Sequence, residues 1–273
     1  MIEEIKTLVG RHLPGYAVRT LVKLGEGLDN LAYEVNGNLI VRSSKEVDPE
    51  MTRREVEVLR AIVECGTLPV PEVVFADAEA GVIAYAKLPG TPLQTALTTD
   101  VSKLAAPLGE FLGSVHRAVT SVPEDVAPLA EWLAEATENY EVAAGHIPAT
   151  ARRTVERFLN VTPPAEPEKL VLCHNDLGSE HILVNGDTIT GVIDWTDAAV
   201  TDPAVDFALI FRDLGPEVFE LSLAHYPGEI VRERAVFYAR CALLEDLAYG
   251  IRNPSARRYE ELGLRHLEWT FAR

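Results

Sequence analysis

The segment from His174 to Trp195 constrains this chain more than any other. Two short apolar runs, Ile182-Leu183-Val184 and Thr190-Gly191-Val192-Ile193, flank Asn185-Gly186. That dipeptide is a strong hairpin signal, because both residues tolerate the positive φ of a tight turn. Polar residues gather at the two ends: His174, Asn175, Asp176, Glu180 and His181 before the first run, Asp194 after the second. Asp194 stands where a buried strand would otherwise continue. A carboxylate there needs a partner, and a metal cation is an effective one. Two other readings stay open: a structural hairpin with caps, and a zinc or hydrolase site on His174, Asp176 and His181. No third histidine lies near to complete a zinc set.

Around this hairpin the hydrophobic periodicity predicts two regions. Residues 2–13 form a short amphipathic helix. Strands follow at 18–22, 31–35 and 39–42, the last two joined by Asn36-Gly37 and the first two by Gly25-Glu26-Gly27, a turn expected to need glycine backbone angles. A helix is predicted over 49–64, then strands at 72–77 and 82–86, then a break at Leu88-Pro89-Gly90. Helices are predicted near 100–118, 124–142, 148–160, 203–212, 216–224, 229–250 and 255–270. Asp202, before Pro203, is placed to cap a helix. The expected fold class is α+β, with a small antiparallel-sheet N-terminal lobe at 1–88 and a larger helical C-terminal lobe at 89–273. A cleft between them is the expected ligand site.

The chain carries 25 Lys and Arg against 42 Asp and Glu, a net charge of −17. That argues against nucleic acid and anionic membranes as partners, since phosphate contacts need clustered cations. Cys65, Cys173 and Cys241 show no metal or disulfide spacing, and three buried, reduced thiols are expected. With no secretory core at the N-terminus and no long apolar run, the expectation is a cytoplasmic protein, a monomer or weak dimer.

Phosphoryl transfer needs positioning, charge neutralisation by Mg²⁺ and an acceptor for a hydroxyl proton. Asp176 suits the last task, and His181 with Asp194 suits the metal. His174 reads as a prop for the loop. A cation on the third strand and a carboxylate on the next helix would seat a triphosphate. Arg42 fits the first position better than Lys45, which lies beyond the strand, and the helix offers Glu55 and Glu57 for the second, while Gly25 and Gly27 would lay backbone N–H groups over the phosphates.

The pattern His174-Asn175-Asp176, His181-Ile182-Leu183-Val184, Ile193-Asp194-Trp195 and Asp206-Phe207 resembles the aminoglycoside phosphotransferase/choline kinase-like family, over nearly the whole chain. His181 stands where most of that family has Asn. In this it is similar to the aminoglycoside 2''-phosphotransferases and the macrolide 2'-phosphotransferases. The resemblance implies a bilobal protein-kinase-like fold with a hinge at about 84–90, where Ala86 and Leu88 would meet the purine of ATP or GTP. It implies Asp206 as structural support of the catalytic loop, and a small hydroxylated substrate, cationic if an aminoglycoside. Asp197, Glu180, Glu245 and Asp246 are the carboxylates that could face such a substrate. A metabolite kinase and a catalytically weak nucleotide-binding protein are the alternatives.

Overall fold

The computed structural model describes residues 2–27, 29–96 and 99–272. The N-terminal region opens with α1 (Ile2–His12). Strands β1 (Leu21–Glu26), β2 (Asn30–Val35) and β3 (Leu39–Ser44) follow, then α2 (Pro49–Cys65), β4 (Val73–Asp77) and β5 (Val82–Ala86). The five strands form one antiparallel sheet in the order β1-β2-β3-β5-β4. The β2–β3 turn has Asn36 at φ 53° and Gly37 at φ 79°. One face of the sheet buries Tyr33, Val35, Val41 and Phe75 against Ile5, Leu8 and Val9 of α1. Helix α2 starts behind Asp48, whose carboxylate accepts the Glu50 and Met51 N–H groups. Its Val58, Leu59 and Ile62 belong to the large core of the helical region.

After β5 the chain enters a second three-stranded sheet, in which β6 (Thr91–Pro92) pairs with β8 (Ile182–Asn185) and β8 with β9 (Thr188–Val192). Between them lie α3 (Ala105–Val115), α4 (Leu129–Ala143), α5 (Ala149–Phe158) and β7 (Val171–Cys173). Strand β10 (Ala199–Thr201) pairs with β7, and α6 (Ala204–Ala224), α7 (Arg232–Arg252) and α8 (Arg257–Thr270) complete the chain. This is the expected α+β arrangement, a small antiparallel sheet followed by a mainly helical region.

Several expectations are corrected. The first strand begins at Leu21 rather than Val18, because the Asn36 side chain takes the N–H groups of Arg19 and Thr20 at 2.8 and 3.0 Å. Helix α4 begins at Leu129, not 124. Residues before it bond to β10 instead, with Asp125 N–H on Val200 O at 3.1 Å and Val200 N–H on Pro123 O at 3.3 Å. Gly25 and Gly27 do not hold positive φ. Leu28, in the same turn, lies outside the described residues. Cys173 and Cys241 are buried but Cys65, the last residue of α2, is exposed; all three are free thiols. The two helices expected at 203–212 and 216–224 are present within the α6 range, separated by the non-helical Gly215 (φ 84°, ψ 174°) before Pro216. Among the described residues no helix is long and apolar enough to cross a membrane.

Helix α6 is held at its start by Asp202, which is fully buried. Its carboxylate accepts the Ala204 N–H at 3.0 Å and pairs with Arg234 of α7 at 2.5 Å. Arg234→Met would leave that carboxylate buried without a cation. A loss of about 3–5 kcal/mol is expected, read as a lower urea midpoint; an unchanged midpoint would contradict it.

Candidate active site

The loop between β7 and β8 carries His174, Asn175, Asp176 and His181, and the turn after β9 carries Asp194 and Asp197. Both segments hold an L-residue at positive φ, Asn175 at 68° and Asp194 at 64°. Such angles persist only where the surroundings enforce them.

His174 is fully buried. Its Nε2 lies 3.0 Å from Ile193 O and its Nδ1 3.3 Å from the Asp176 N–H. A carbonyl only accepts and an amide N–H only donates, so Nε2 carries the proton and Nδ1 is the acceptor. Burial lowers the imidazole pKa, in keeping with a neutral ring. Both nitrogens are therefore committed to main chain, which removes His174 from any zinc set. Its ring rests on Trp195 at 4.4 Å.

His181 donates from Nδ1 to Asp176 O at 2.8 Å, so its neutral form presents the Nε2 lone pair. Nε2 lies 3.8 Å from Asp194 Oδ2, and Nδ1 lies 3.4 Å from Asp176 Oδ2. Burial alone would lower the His181 pKa, but the Asp176 and Asp194 carboxylates raise it. Asp194 Oδ1 accepts from Thr196 Oγ1 at 2.8 Å and from Arg42 Nη1 at 3.0 Å. Burial works against its charge, and Arg42 with His181 outweighs it, so its pKa is lowered.

Arg42 leaves β3 into this site. Nη1 also donates to Thr196 Oγ1 at 2.6 Å, and Nη2 pairs with Glu55 of α2. Arg42 and Glu55 side chains are 9% and 8% exposed, so the pair is desolvated and its hydrogen bonds are charge-assisted. Lys45 bonds Gly27 O at 2.9 Å and Glu26 at 2.8 Å, and Glu57 accepts from Ser121. Neither alternative joins the cluster. A Cβ on Gly25 would meet nothing within 4 Å, and one on Gly27 only Asn30 O at 3.9 Å. The fold itself does not require glycine there. Ala86 N–H bonds Glu72 O at 3.3 Å, and Leu88 packs its side chain over Gly191.

The four remaining carboxylates fall in two places. Asp197 belongs with Asp176 and Asp194; desolvation and these two charges push its pKa up to about 6. Asp246 pairs with Arg212 at 3.1 Å, and burial raises its pKa. Glu180 has a buried Oε2 without a hydrogen-bond partner among the described residues. Glu245 lies on the exposed side of α7.

Two features escaped the sequence, the support behind Asp206 and a second anchored carboxylate. Asp206 is fully buried, and its two oxygens accept the N–H groups of His174 at 3.0 Å and Asn175 at 2.8 Å. His116, just after α3, donates from Nε2 to Asp206 at 3.0 Å while its Nδ1 faces Tyr226 OH at 2.8 Å. Burial tends to raise the Asp206 pKa, but His116 and the amides hold it below its usual value. The second feature is a buried Arg212–Asp213 pair beside Ser179. Neither had a local signal, since His116 lies far from Asp206 in sequence and Ser179 far from Asp213.

Residues 20–236 match the phosphotransferase enzyme family. The chain is 30% identical over 198 residues to an aminoglycoside 3'-phosphotransferase of Streptomyces fradiae, covering 63% of this chain and 71% of that protein. It is 26% identical over 155 residues to the viomycin phosphotransferase of Streptomyces vinaceus, spanning 52% of this chain and about half (53%) of that relative. The fold is shared with the GDP complex of aminoglycoside 2'-phosphotransferase-IIIa, at a TM-score of 0.75 and 22% identity over 98% of each chain. It is also shared with the apoenzyme of a macrolide 2'-phosphotransferase from Brachybacterium faecium, at a TM-score of 0.67 and 24% identity over 97% of this chain and 98% of that one. With its match running from β1 into α7, the chain belongs to the phosphotransferase enzyme family.

Proposed function

We propose that the protein transfers the terminal phosphate of ATP or GTP to a hydroxyl of a small molecule, an aminoglycoside or macrolide antibiotic before a metabolite. One observation carries this reading. Four distant segments converge on one cluster, in which Arg42 links Glu55 to Asp194 and His181 lies between Asp194 and Asp176. The antibiotic assignment is supported by the phosphotransferase relatives.

Asp176 would orient the acceptor hydroxyl and take its proton. Its backbone is fixed on one side by His174 Nδ1 and on the other by His181 Nδ1. Arg42, locked by Glu55, Asp194 and Thr196, would turn its remaining N–H groups and its charge to the phosphates. The absence of side chains at Gly25 and Gly27 would admit them close to the backbone, and Ala86 with Leu88 would meet the purine. A divalent cation such as Mg²⁺ would be held by Asp194 and His181 Nε2 and would neutralise charge developing on the phosphates. The donors fit: the carboxylate oxygen suits Mg²⁺, while the free imidazole lone pair suits a softer ion better. Glu180 and Glu245 would face a cationic acceptor. The protein would act in the cytoplasm.

Asp176→Asn should lower kcat by at least about 10²-fold, the usual worth of a positioned base, while nucleotide binding measured by thermal shift stays near wild type. Retained turnover would remove Asp176 from this role. A broad acceptor screen coupled to ADP or GDP release decides the substrate. Release stimulated by aminoglycosides or macrolides supports the antibiotic reading, and stimulation by amino alcohols or sugars alone favours a metabolite kinase.

Arg42→Met should raise the nucleotide KM and, by stranding buried Glu55, cost about 3–5 kcal/mol of stability. Arg42→Lys should fall between, keeping one charge but not the fork that reaches Glu55, Asp194 and Thr196. A nucleotide KM unchanged in both variants would show that Arg42 does not seat the phosphates.

A further inference from the structure

Helix α6 places two acidic residues, Asp206 and Asp213, seven positions apart. Seven residues are close to two helical turns, so both side chains leave the same face, about 10 Å apart along the axis. Both are desolvated: the Asp206 side chain is 0% exposed and that of Asp213 is 5%. Both point at the loop that carries Asp176. Asp206 takes the N–H groups of His174 and Asn175, and Asp213 Oδ2 takes the N–H of Ser179 at 2.7 Å. Asp176 lies in the span between these attachments.

Each carboxylate is supported from behind. His116 donates to Asp206 at 3.0 Å. Arg212 bonds Asp213 through Nε at 2.7 Å and Nη2 at 3.3 Å. Burial works to raise the Asp213 pKa, and Arg212 more than offsets it, so the acceptor is an ionised carboxylate. His266 also approaches Asp213, at 3.6 Å, but burial lowers its pKa to about 4, so it adds no cation near neutral pH. On its far side Ser179 is tied in turn, its carbonyl accepting the Gln94 N–H at 3.0 Å.

We propose that Asp213, held by Arg212, is a positioning residue for phosphoryl transfer: with Asp206 it forms a two-point clamp that sets the height and tilt of the Asp176 loop on α6. This rests on the reading that Asp176 receives the acceptor proton. Loss of the Ser179 attachment frees the loop's second half while the nucleotide-side residues Arg42, Glu55 and Asp194 stay in place. The effect then falls on the chemical step rather than on nucleotide binding.

The test uses three full-length variants. Asp213→Asn keeps an acceptor oxygen for Ser179. Asp213→Leu removes it. Arg212→Met/Asp213→Leu removes both members of the ion pair, and Asp246, the other partner of Arg212 at 3.1 Å, is relieved by protonation, the direction in which burial already pushes it. In the double variant kcat should fall by about 10²-fold, the cost of small misplacement of a reacting group, with nucleotide KM within about 2-fold of wild type. Asp213→Asn should recover most of the rate. Hydrogen exchange of the peptide covering 174–184 should accelerate at Ser179 in the two Leu variants and stay slow in Asp213→Asn. Wild-type kcat in the double variant, unchanged exchange at Ser179, or a defect confined to the acceptor KM would each overturn the proposal. If the wild-type chain transfers phosphate to no acceptor, the functional reading fails on that protein alone, and exchange at Ser179 still decides whether Asp213 holds the loop.

Discussion

The carboxylate of Asp206 is the interaction on which the rest of the site depends. It lies in the core and so carries a desolvation penalty of several kcal/mol. The penalty is offset by three donors: two amides of the loop after β7 and the His116 ring. Those donors come from two separate parts of the chain and the carboxylate from a third, so the loop conformation depends on the packing of α3 against α6. An apolar residue in place of Asp206 would leave the His174 and Asn175 amides without their acceptors. Helix α6 is in turn fixed at its start by Asp202 and Arg234. The active geometry is thus written in the helical core rather than in the loop itself.

Arg42 performs the matching task on the sheet side. A lysine at its position would offer one rotatable ammonium. The guanidinium instead spans Glu55 on α2, Asp194 after β9 and the Thr196 hydroxyl. This planar fork ties the N-terminal sheet to the turn beside the second sheet with directional bonds in a desolvated place. Arg42 therefore mechanically couples the two regions.

Much of this was legible in the sequence because the signals were local. Asn36-Gly37 and Asn185-Gly186 announce their hairpins through backbone angles that few residues tolerate. Asp194 stood out because an acidic residue closed an apolar strand. The break between two helices at residues 213–215 was visible in Gly215-Pro216. Elements whose partners are remote were not legible. Strands β6 and β10, two and three residues long, exist only through pairing with β8 and β7. Residues 18–20 looked strand-like, yet the Asn36 side chain takes the Arg19 and Thr20 N–H groups, which no propensity encodes. Arg212 and Asp213 adjoin in sequence, but nothing local says that Ser179 lies across from them.

Local rules fail most sharply at Asn175 and Asp194, the two L-residues with positive φ in the candidate site. Left-handed backbone costs such residues about 1–2 kcal/mol each, and a free loop would relax. Here the cost is met by contacts that require those angles. Asn175 N–H reaches Asp206 Oδ1, and Asp194 reaches Arg42 and Thr196 with one oxygen while the other faces His181. Replacing either residue by glycine would ease the backbone but loosen the chain in the unfolded state and delete the side chain. The strained conformation and the functional side chain therefore come as one unit. Stability drawn from α6 and from Arg42 is what keeps Asp176 and Asp194 aimed into the same space.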